Sequence, residues 1–232
     1  MRTDRDYTRC AMRVVGFVPS KLTSQRLPRK NVRRLGGVPL ISRVLRTLSR
    51  VPDVHETIVY ASDDKVMGYV APDLDCRFVK RPAWLDEDTA MVEDFVGCFL
   101  EAIPSDVVAL LHATSPFISP TTVSACVQAV ASGEYESAFA AQELRRFAWF
   151  DGRPLNYALD KPTPRTQDLP PVLVEQSGLY VFTRDLFNRT RCRIADAPYI
   201  HLVDDFEGHD IDTNEDFELA EAMLLARARG RV

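Results

Sequence analysis

The residues best equipped for chemistry lie near the two ends of the chain. After the apolar run Val14-Val15-Gly16-Phe17-Val18 comes a polar loop, Pro19-Ser20-Lys21-Leu22-Thr23-Ser24-Gln25-Arg26-Leu27-Pro28-Arg29-Lys30-Asn31. It gathers the cations Lys21, Arg26, Arg29 and Lys30 with the hydroxyls of Thr23 and Ser24. Pro19 and Pro28 restrict its backbone. Cations and hydroxyls on a stiffened loop suit a polyphosphate, because charge-assisted bonds to phosphate oxygens are the strong ones. Standing alone, the loop would read as a solvated basic turn. Far along the chain stands His209-Asp210-Ile211-Asp212-Thr213. Carboxylates at i and i+2 of an extended segment point to one side, and they repel unless a cation lies between them. Few, hard oxygen ligands suit Mg²⁺ shared with a polyphosphate. The plainer alternative makes one aspartate a helix cap and the other a surface charge. Taken together, loop and acidic pair are the equipment of nucleotidyl transfer: the cation neutralises phosphate charge while the loop holds the leaving pyrophosphate.

Positioning the two clusters requires a sheet. Short apolar runs near Arg13–Val18, Glu56–Ala61, Arg77–Lys80 and Val107–His112 alternate with helix-period segments near Pro39–Arg50, Asp64–Tyr69, Ala90–Ile103 and Pro120–Ser132. That alternation predicts parallel βαβ units. Val123, Cys126, Val127 and Val130 share one helical face, and Ser119-Pro120 reads as cap and first turn. The rhythm changes after Gly133. From Phe147 to Pro171 the aromatics, prolines and basic residues have no helical period, and Asp151-Gly152 is a hairpin-turn signal. This excursion predicts a protruding β arm and an oligomer interface. The parallel pattern is then expected to resume with strands at Gly178–Phe182 and Tyr199–Val203 and a closing helix at Asn214–Arg229. That helix carries Glu215 and Asp216 in its first turn and Arg227 and Arg229 in its last, matching its dipole.

Composition sets bounds. The chain has 232 residues and an apolar fraction of 46%, enough for one full core. A net charge of −4 gives no global basic surface to recommend a nucleic-acid partner. Five scattered cysteines without a CxxC pair argue against a disulfide framework or structural zinc and for a reducing compartment. No apolar run approaches a membrane span or a signal segment. The expectation is a cytoplasmic protein with no membrane partner.

Six blocks, in order along nearly the whole chain, resemble the acylneuraminate cytidylyltransferases. The opening loop resembles P-A-R-x-G-S-x-x-(I/L)-P-x-K-N. Arg81-Pro82-Ala83-Trp84-Leu85 with Asp88-Thr89 resembles R-P-x-x-L-A…D-T, and Leu110-Leu111-His112-Ala113-Thr114-Ser115-Pro116 resembles L-L-Q-P-T-S-P. Arg165-Thr166-Gln167-Asp168-Leu169-Pro170-Pro171 resembles R-R-Q-D-L-P-P, Gln176-Ser177-Gly178-Leu179-Tyr180-Val181-Phe182 resembles N-G-A-I-Y-V-F, and Asp210-Ile211-Asp212-Thr213 matches D-I-D-T.

The resemblance implies an α/β, Rossmann-like three-layer αβα sandwich of the nucleotide-diphospho-sugar transferase type, with a protruding β dimerisation arm. The chain would divide into a loose tail at 1–12 and one domain at 13–232, with 141–176 as the arm of a homodimer. It implies that CTP is held by Pro19, Ser20, Lys21, Thr23, Ser24, Arg26, Lys30, Asn31, Arg81, Asp88 and Met91. Lys30 would take the triphosphate, Asn31 the ribose and Arg81 the cytosine. His112, Thr114, Arg165 and Gln167 would approach an acidic small-molecule acceptor, the last two from the arm. Asp210 and Asp212 would bind Mg²⁺, and Lys21, Lys30 and Asp212 would be catalytic.

The departures concern the acceptor more than the nucleotide. Lys21 replaces an arginine fork by a point charge, and Thr23 stands where glycine permits close backbone approach. Met91 and Val92 occupy a stretch that carries serines in some members, so base reading there would rest on backbone groups. His112 replaces a glutamine that contacts the keto-acid; it either reads an anionic acceptor, becoming cationic near neutral pH, or packs as a core histidine. The predicted reaction joins CTP to a nonulosonic or keto-acid sugar and releases pyrophosphate. Its alternative acceptor is a small phosphonate, whose oxygen needs no base. Rival classes are a DxD glycosyltransferase and a CTP-binding regulatory module. Cys98 and Cys126 read as core, Trp149 and Phe150 as dimer contacts, and Arg33-Arg34 as solvated surface.

Overall fold

The computed structural model describes residues 12–24 and 27–230. The expected tail, Met12 apart, and Arg26 of the phosphate loop lie outside the described residues. Seven strands make the main sheet: β1 (Val14–Pro19), β2 (Glu56–Ala61), β3 (Arg77–Lys80), β4 (Val107–Leu111), β5 (Ser137–Leu144), β6 (Val172–Thr183) and β7 (Tyr199–Leu202). They lie in the order β7-β5-β6-β4-β1-β2-β3. Every neighbouring pair is parallel except the two made by β6.

Two layers of helices flank the sheet, because strand side chains alternate between faces. Val14 and Val18 of β1 join a core with Leu40, Val44 and Leu48 of α1 (Leu40–Leu48), Val123, Cys126 and Val127 of α3 (Pro120–Ala131) and Phe217 of α5 (Asn214–Ala228). Val15 and Phe17 join the opposite core, with Val96, Phe99 and Leu100 of α2 (Val92–Ala102) and Leu186 and Phe187 of α4 (Arg184–Thr190). Local chemistry sets the helix starts. Ser119 accepts from the Thr122 N–H with Pro120 in the first turn of α3. Thr213 and Asp216 form a reciprocal capping box on α5.

Three expectations are corrected. The strand expected to resume the parallel pattern, β6, runs antiparallel to both neighbours. The chain reaches it from β5 through the excursion, without the crossover helix that a parallel return requires. The helix expected at Asp64–Tyr69 is a 3₁₀ segment. Strand β5 was not expected at all; its Ser137-Ala138-Phe139-Ala140-Ala141 run has weak β propensity and becomes a strand by tertiary pairing with β6 and β7. The excursion itself contains the expected hairpin, Trp149–Phe150 with Arg153–Pro154. Its turn is Asp151-Gly152, both at positive φ (49° and 70°), as a tight primed turn demands.

The order of the central strands decides where a ligand goes. From β1 the chain leaves through α1 toward β2; from β4 it leaves through α3 toward β5, on the other side of the sheet. The carboxyl ends of β1 and β4 therefore diverge and leave a crevice between them. Beneath it, Phe17 stacks on Phe99 with ring centroids 3.9 Å apart, and Tyr60 meets Phe99 edge-on at 5.5 Å. All three rings are buried. Phe99→Ala should lower the unfolding free energy by about 3–5 kcal/mol. Urea denaturation showing a loss below about 1 kcal/mol would mean that the cluster collapses around the gap instead of leaving a cavity.

Candidate active site

The crevice is a cleft of about 360 Å³. Pro19, Ser20, Lys21, Lys30, Asn31, Arg81, His112, Thr114, Asp210 and Asp212 line it, so most of the residues singled out from the sequence converge there. The loop enters from β1: the Ser20 N–H continues the ladder to the Tyr60 carbonyl at 3.0 Å. Buried Leu27 and Val32 anchor its far end. Between them Arg29 takes the left-handed conformation (φ 56°) and starts the 3₁₀ turn Lys30–Val32 that aims Lys30 at the cleft. Asn31 Nδ2 donates to the Lys21 carbonyl at 3.3 Å, tying the two lysine-bearing ends of the loop together. Arg33, expected in solvent, instead packs its guanidinium 3.9 Å from the centroid of Phe217 and donates to Asn214 Oδ1 at 3.0 Å, docking the loop on α5.

The acidic segment faces the same loop. Ile211 is fully buried, and its N–H donates to the Thr114 carbonyl at 2.9 Å. Its neighbours Asp210 and Asp212 consequently line the cleft. Neither is the helix cap, since Thr213 and Asp216 do that work. Lys30 Nζ donates to Asp212 Oδ1 at 2.7 Å. Asp210 accepts from Ser115 Oγ at 3.0 Å and from Ser177 Oγ at 3.3 Å. Ser115 in turn accepts from Gln176 Nε2 at 2.8 Å, and Gln176 Oε1 accepts from the Gly178 N–H at 2.8 Å. This buried chain of hydrogen bonds is seated where the β6 register slips between Glu175 and Tyr180, and such irregularities re-aim side chains beside sites. Gly178 is required there: a Cβ would lie 2.0 Å from Ser115 Oγ. His209 points away, with Nε2 2.8 Å from the Asp216 carbonyl oxygen.

At the other end, Arg81 is buried at 4% exposure and donates through Nε and Nη2 to Asp86 Oδ1 at 3.1 and 2.6 Å. Ser62 Oγ donates to the other Asp86 oxygen, and Lys21 Nζ donates to the Asp86 carbonyl at 2.9 Å. Asp86, which no sequence motif flagged, thus couples Arg81 to Lys21. Thr23, Ser24 and Asp88 line an adjoining depression with Lys21, and Asp88 Oδ1 is 3.9 Å from Lys21 Nζ. Met91 is exposed before α2 and is not among the residues lining the cleft; its neighbours Ala90 and Val92 are.

His112 sits at the carboxyl end of β4, its N–H bonded to the Gly178 carbonyl at 2.8 Å and its ring edge-on to Phe95. Burial, reinforced by the positive charges of Arg193 and Lys30, pushes the imidazole down to about 4. These surroundings work against the cationic imidazole that the sequence allowed: burial disfavours the charged form, and Arg193 and Lys30 add to that. Arg193, which no sequence motif flagged, also lines the cleft. Arg165 and Gln167 lie on an exposed 3₁₀ turn of the excursion, where Arg165 pairs with Asp168 at 2.7 Å; neither lines this cleft.

Residues 15–205 match the sequence profile of the cytidylyltransferase family. The chain belongs to that family. It is 26% identical over 210 residues to N-acylneuraminate cytidylyltransferase B of Danio rerio, an alignment covering 87% of this chain and 49% of the relative. It is 31% identical over 127 residues to the CMP-N,N'-diacetyllegionaminic acid synthase of Legionella pneumophila, covering 50% of this chain and 53% of that one. The chain spans about half the length of the curated relatives it matches. Among solved structures, a CMP:2-keto-3-deoxy-manno-octonic acid synthetase complexed with CTP superposes with a TM-score of 0.68 at 18% identity, covering 93% of this chain and 99% of that one. That likeness shows the fold: the chain is a Rossmann-like αβα sandwich. Among the described residues no helix is long and apolar enough to cross a membrane.

The neutral imidazole has a consequence for stability. Because the His112 value is lower folded than unfolded, the unfolded chain binds the extra proton between about pH 6.5 and about pH 4. Wild type should lose stability relative to His112→Gln as pH falls through that window, and the gap should be constant above it. Chemical denaturation of both proteins at stepped pH checks this; parallel curves down to pH 4 would mean that the imidazole is hydrated when folded.

Proposed function

We propose that this cytidylyltransferase-family chain transfers the cytidylyl group of CTP to an acidic acceptor, a keto-acid sugar, with release of pyrophosphate. The observation that carries the reading is the convergence of Lys21, Lys30, Asp210 and Asp212 in one cleft at the switch point of the sheet. Lys21 and Lys30 supply the positive charge that a triphosphate needs, and they would stabilise the pyrophosphate as it leaves. Arg81, hydrogen-bonded to Asp86, would meet the base. The acceptor oxygen would attack the α-phosphorus in line from the His112 side. His112 is a poor proton acceptor at neutral pH, since a useful base titrates near the working pH. The relatives' names, with their neuraminate, legionaminate and octonic acid acceptors, support an acidic sugar. With His112 neutral, the charge argument for a more highly charged phosphonate loses its basis.

Mg²⁺ fits the acidic pair. Two carboxylates project from one extended segment into the cleft, oriented by Ile211 below and by Ser115 and Ser177 beside Asp210, and hard oxygens in small number are what Mg²⁺ takes beside phosphates. Asp210 and Asp212 would hold it, and it would offset charge developing at the α-phosphoryl group. Lys30, already on Asp212, would keep that carboxylate turned toward the phosphates.

Pyrophosphate release with CTP against a panel of keto-acid sugars and phosphonates, with product masses, tests the reading. CTP should outperform UTP, ATP and GTP; equal turnover with all four would remove the cytidylyl assignment, and release of a nucleoside diphosphate from a sugar nucleotide would favour a glycosyltransferase. Asp212→Asn should cut turnover by at least about 100-fold with a much smaller effect on CTP binding, because one good ion contact is worth several kcal/mol in the transition state.

We also propose that the excursion pairs two chains. Phe147, Trp149, Phe150, Leu155 and Leu159 are all exposed on it, a concentration of apolar surface that a two-fold interface would cover. Arg165 and Gln167 would then reach the neighbour's cleft. Sedimentation at micromolar concentration should give a dimer, and Trp149→Glu with Phe150→Glu should give monomers with reduced activity; a fully active wild-type monomer would sink the idea.

A further inference from the structure

The acceptor end of the cleft holds a cation that the mechanism above does not use. Arg193 follows α4 in the segment Arg191-Cys192-Arg193-Ile194 and lines the cleft with His112, Phe95, Thr114 and Ser177. Its guanidinium carbon lies over the Tyr180 ring, with Cζ 3.7 Å from the ring centroid. That cation–ring contact holds the head group in place. Tyr180 is itself held, its hydroxyl donating to Glu175. Arg193 Nη1 is buried and has no hydrogen-bond partner among the described residues. A buried guanidinium N–H without an acceptor is costly, and such groups are normally satisfied. The same end offers no competing positive charge from His112, which stays neutral.

We infer that Arg193 is the residue that binds the anionic group of the acceptor, pairing its guanidinium edge with the oxyanion, a carboxylate or a phosphonate, that does not carry out the attack. This rests on the cytidylyltransferase reading and extends it: the selection for acids is made within the chain, by an arginine held over Tyr180. A planar, pre-oriented fork on Tyr180 suits a planar carboxylate best.

The experiment compares wild type, Arg193→Gln and Arg193→Lys by pyrophosphate release, with N-acetylneuraminate, its methyl ester, 3-deoxy-manno-octulosonate and phosphonoacetate as probes. CTP binding is measured calorimetrically for each protein. Wild type should prefer an acid to its ester. Arg193→Gln should lose about 10- to 100-fold in kcat/KM for the acid, the size of a charged hydrogen bond, with little change for the ester and none in CTP affinity. Arg193→Lys should recover part of the loss, because the charge returns without the fork. A larger loss with phosphonoacetate than with the sugars would identify the oxyanion as a phosphonate. Equal losses for acid and ester, or an unchanged acid KM in a variant that binds CTP normally, would overturn the assignment and leave cytidylyl transfer standing. Wild type that binds CTP and uses none of the acids would overturn the acidic-acceptor reading, and this assignment with it.

Discussion

Two carboxylates held side by side at the mouth of a sheet repel each other, and the site is organised around answering that repulsion. Ile211 is pinned in the core and hydrogen-bonded to Thr114, so the backbone carrying Asp210 and Asp212 is held at the cleft. One is met by the ammonium of Lys30 and the other by two hydroxyls. Lys30 reaches Asp212 across nearly the whole length of the chain, and this contact closes the βα loop of β1 against the start of α5. The pair's contribution is one of orientation: it fixes Lys30 and Asp212 relative to each other at the cleft.

That arrangement depends on one reversed strand. Because β6 returns antiparallel beside β4, its irregular stretch Gln176-Ser177-Gly178 lies against the carboxyl end of β4 and not at the far edge of the sheet. Gln176 can then buttress Ser115, and Ser177 can bond Asp210. A parallel strand here would have presented its opposite end. The reversal also carries the chain out and back through the excursion, so the apolar surface exposed on the arm and the polar support of the acidic pair share one topological cause.

The two halves of the cleft differ in how their charge is handled. At one end Arg81 is paired with Asp86. At the other Arg193 lies over an aromatic ring, and its Nη1 has no hydrogen-bond partner among the described residues. Between them burial, with a smaller contribution from Arg193 and Lys30, disfavours a charge on His112.

The strand–loop–helix order, the faces of α1 and α3, the Asp151-Gly152 turn and the pairing of a cationic loop with Asp210 and Asp212 were all legible in the sequence, because each follows from local spacing: period 2, period 3.6, or the backbone demand of one turn. The arm was visible too, as a break in those periods. The direction of β6 and the existence of β5 were not, since an alanine-rich strand has no local signature and strand direction is settled by the connection. Nor was the state of His112, which depends on Arg193 and Lys30 arriving from segments distant along the chain. Arg193, Asp86 and the Gln176–Ser115 chain belong to the same class: residues whose types suggest nothing alone, given a task by what folding packs against them. Sequence by itself determined which chemistry the chain can carry; tertiary structure decided which groups are charged, which are held, and which edge is left for a ligand, because burial and proximity set those and neither is a local property.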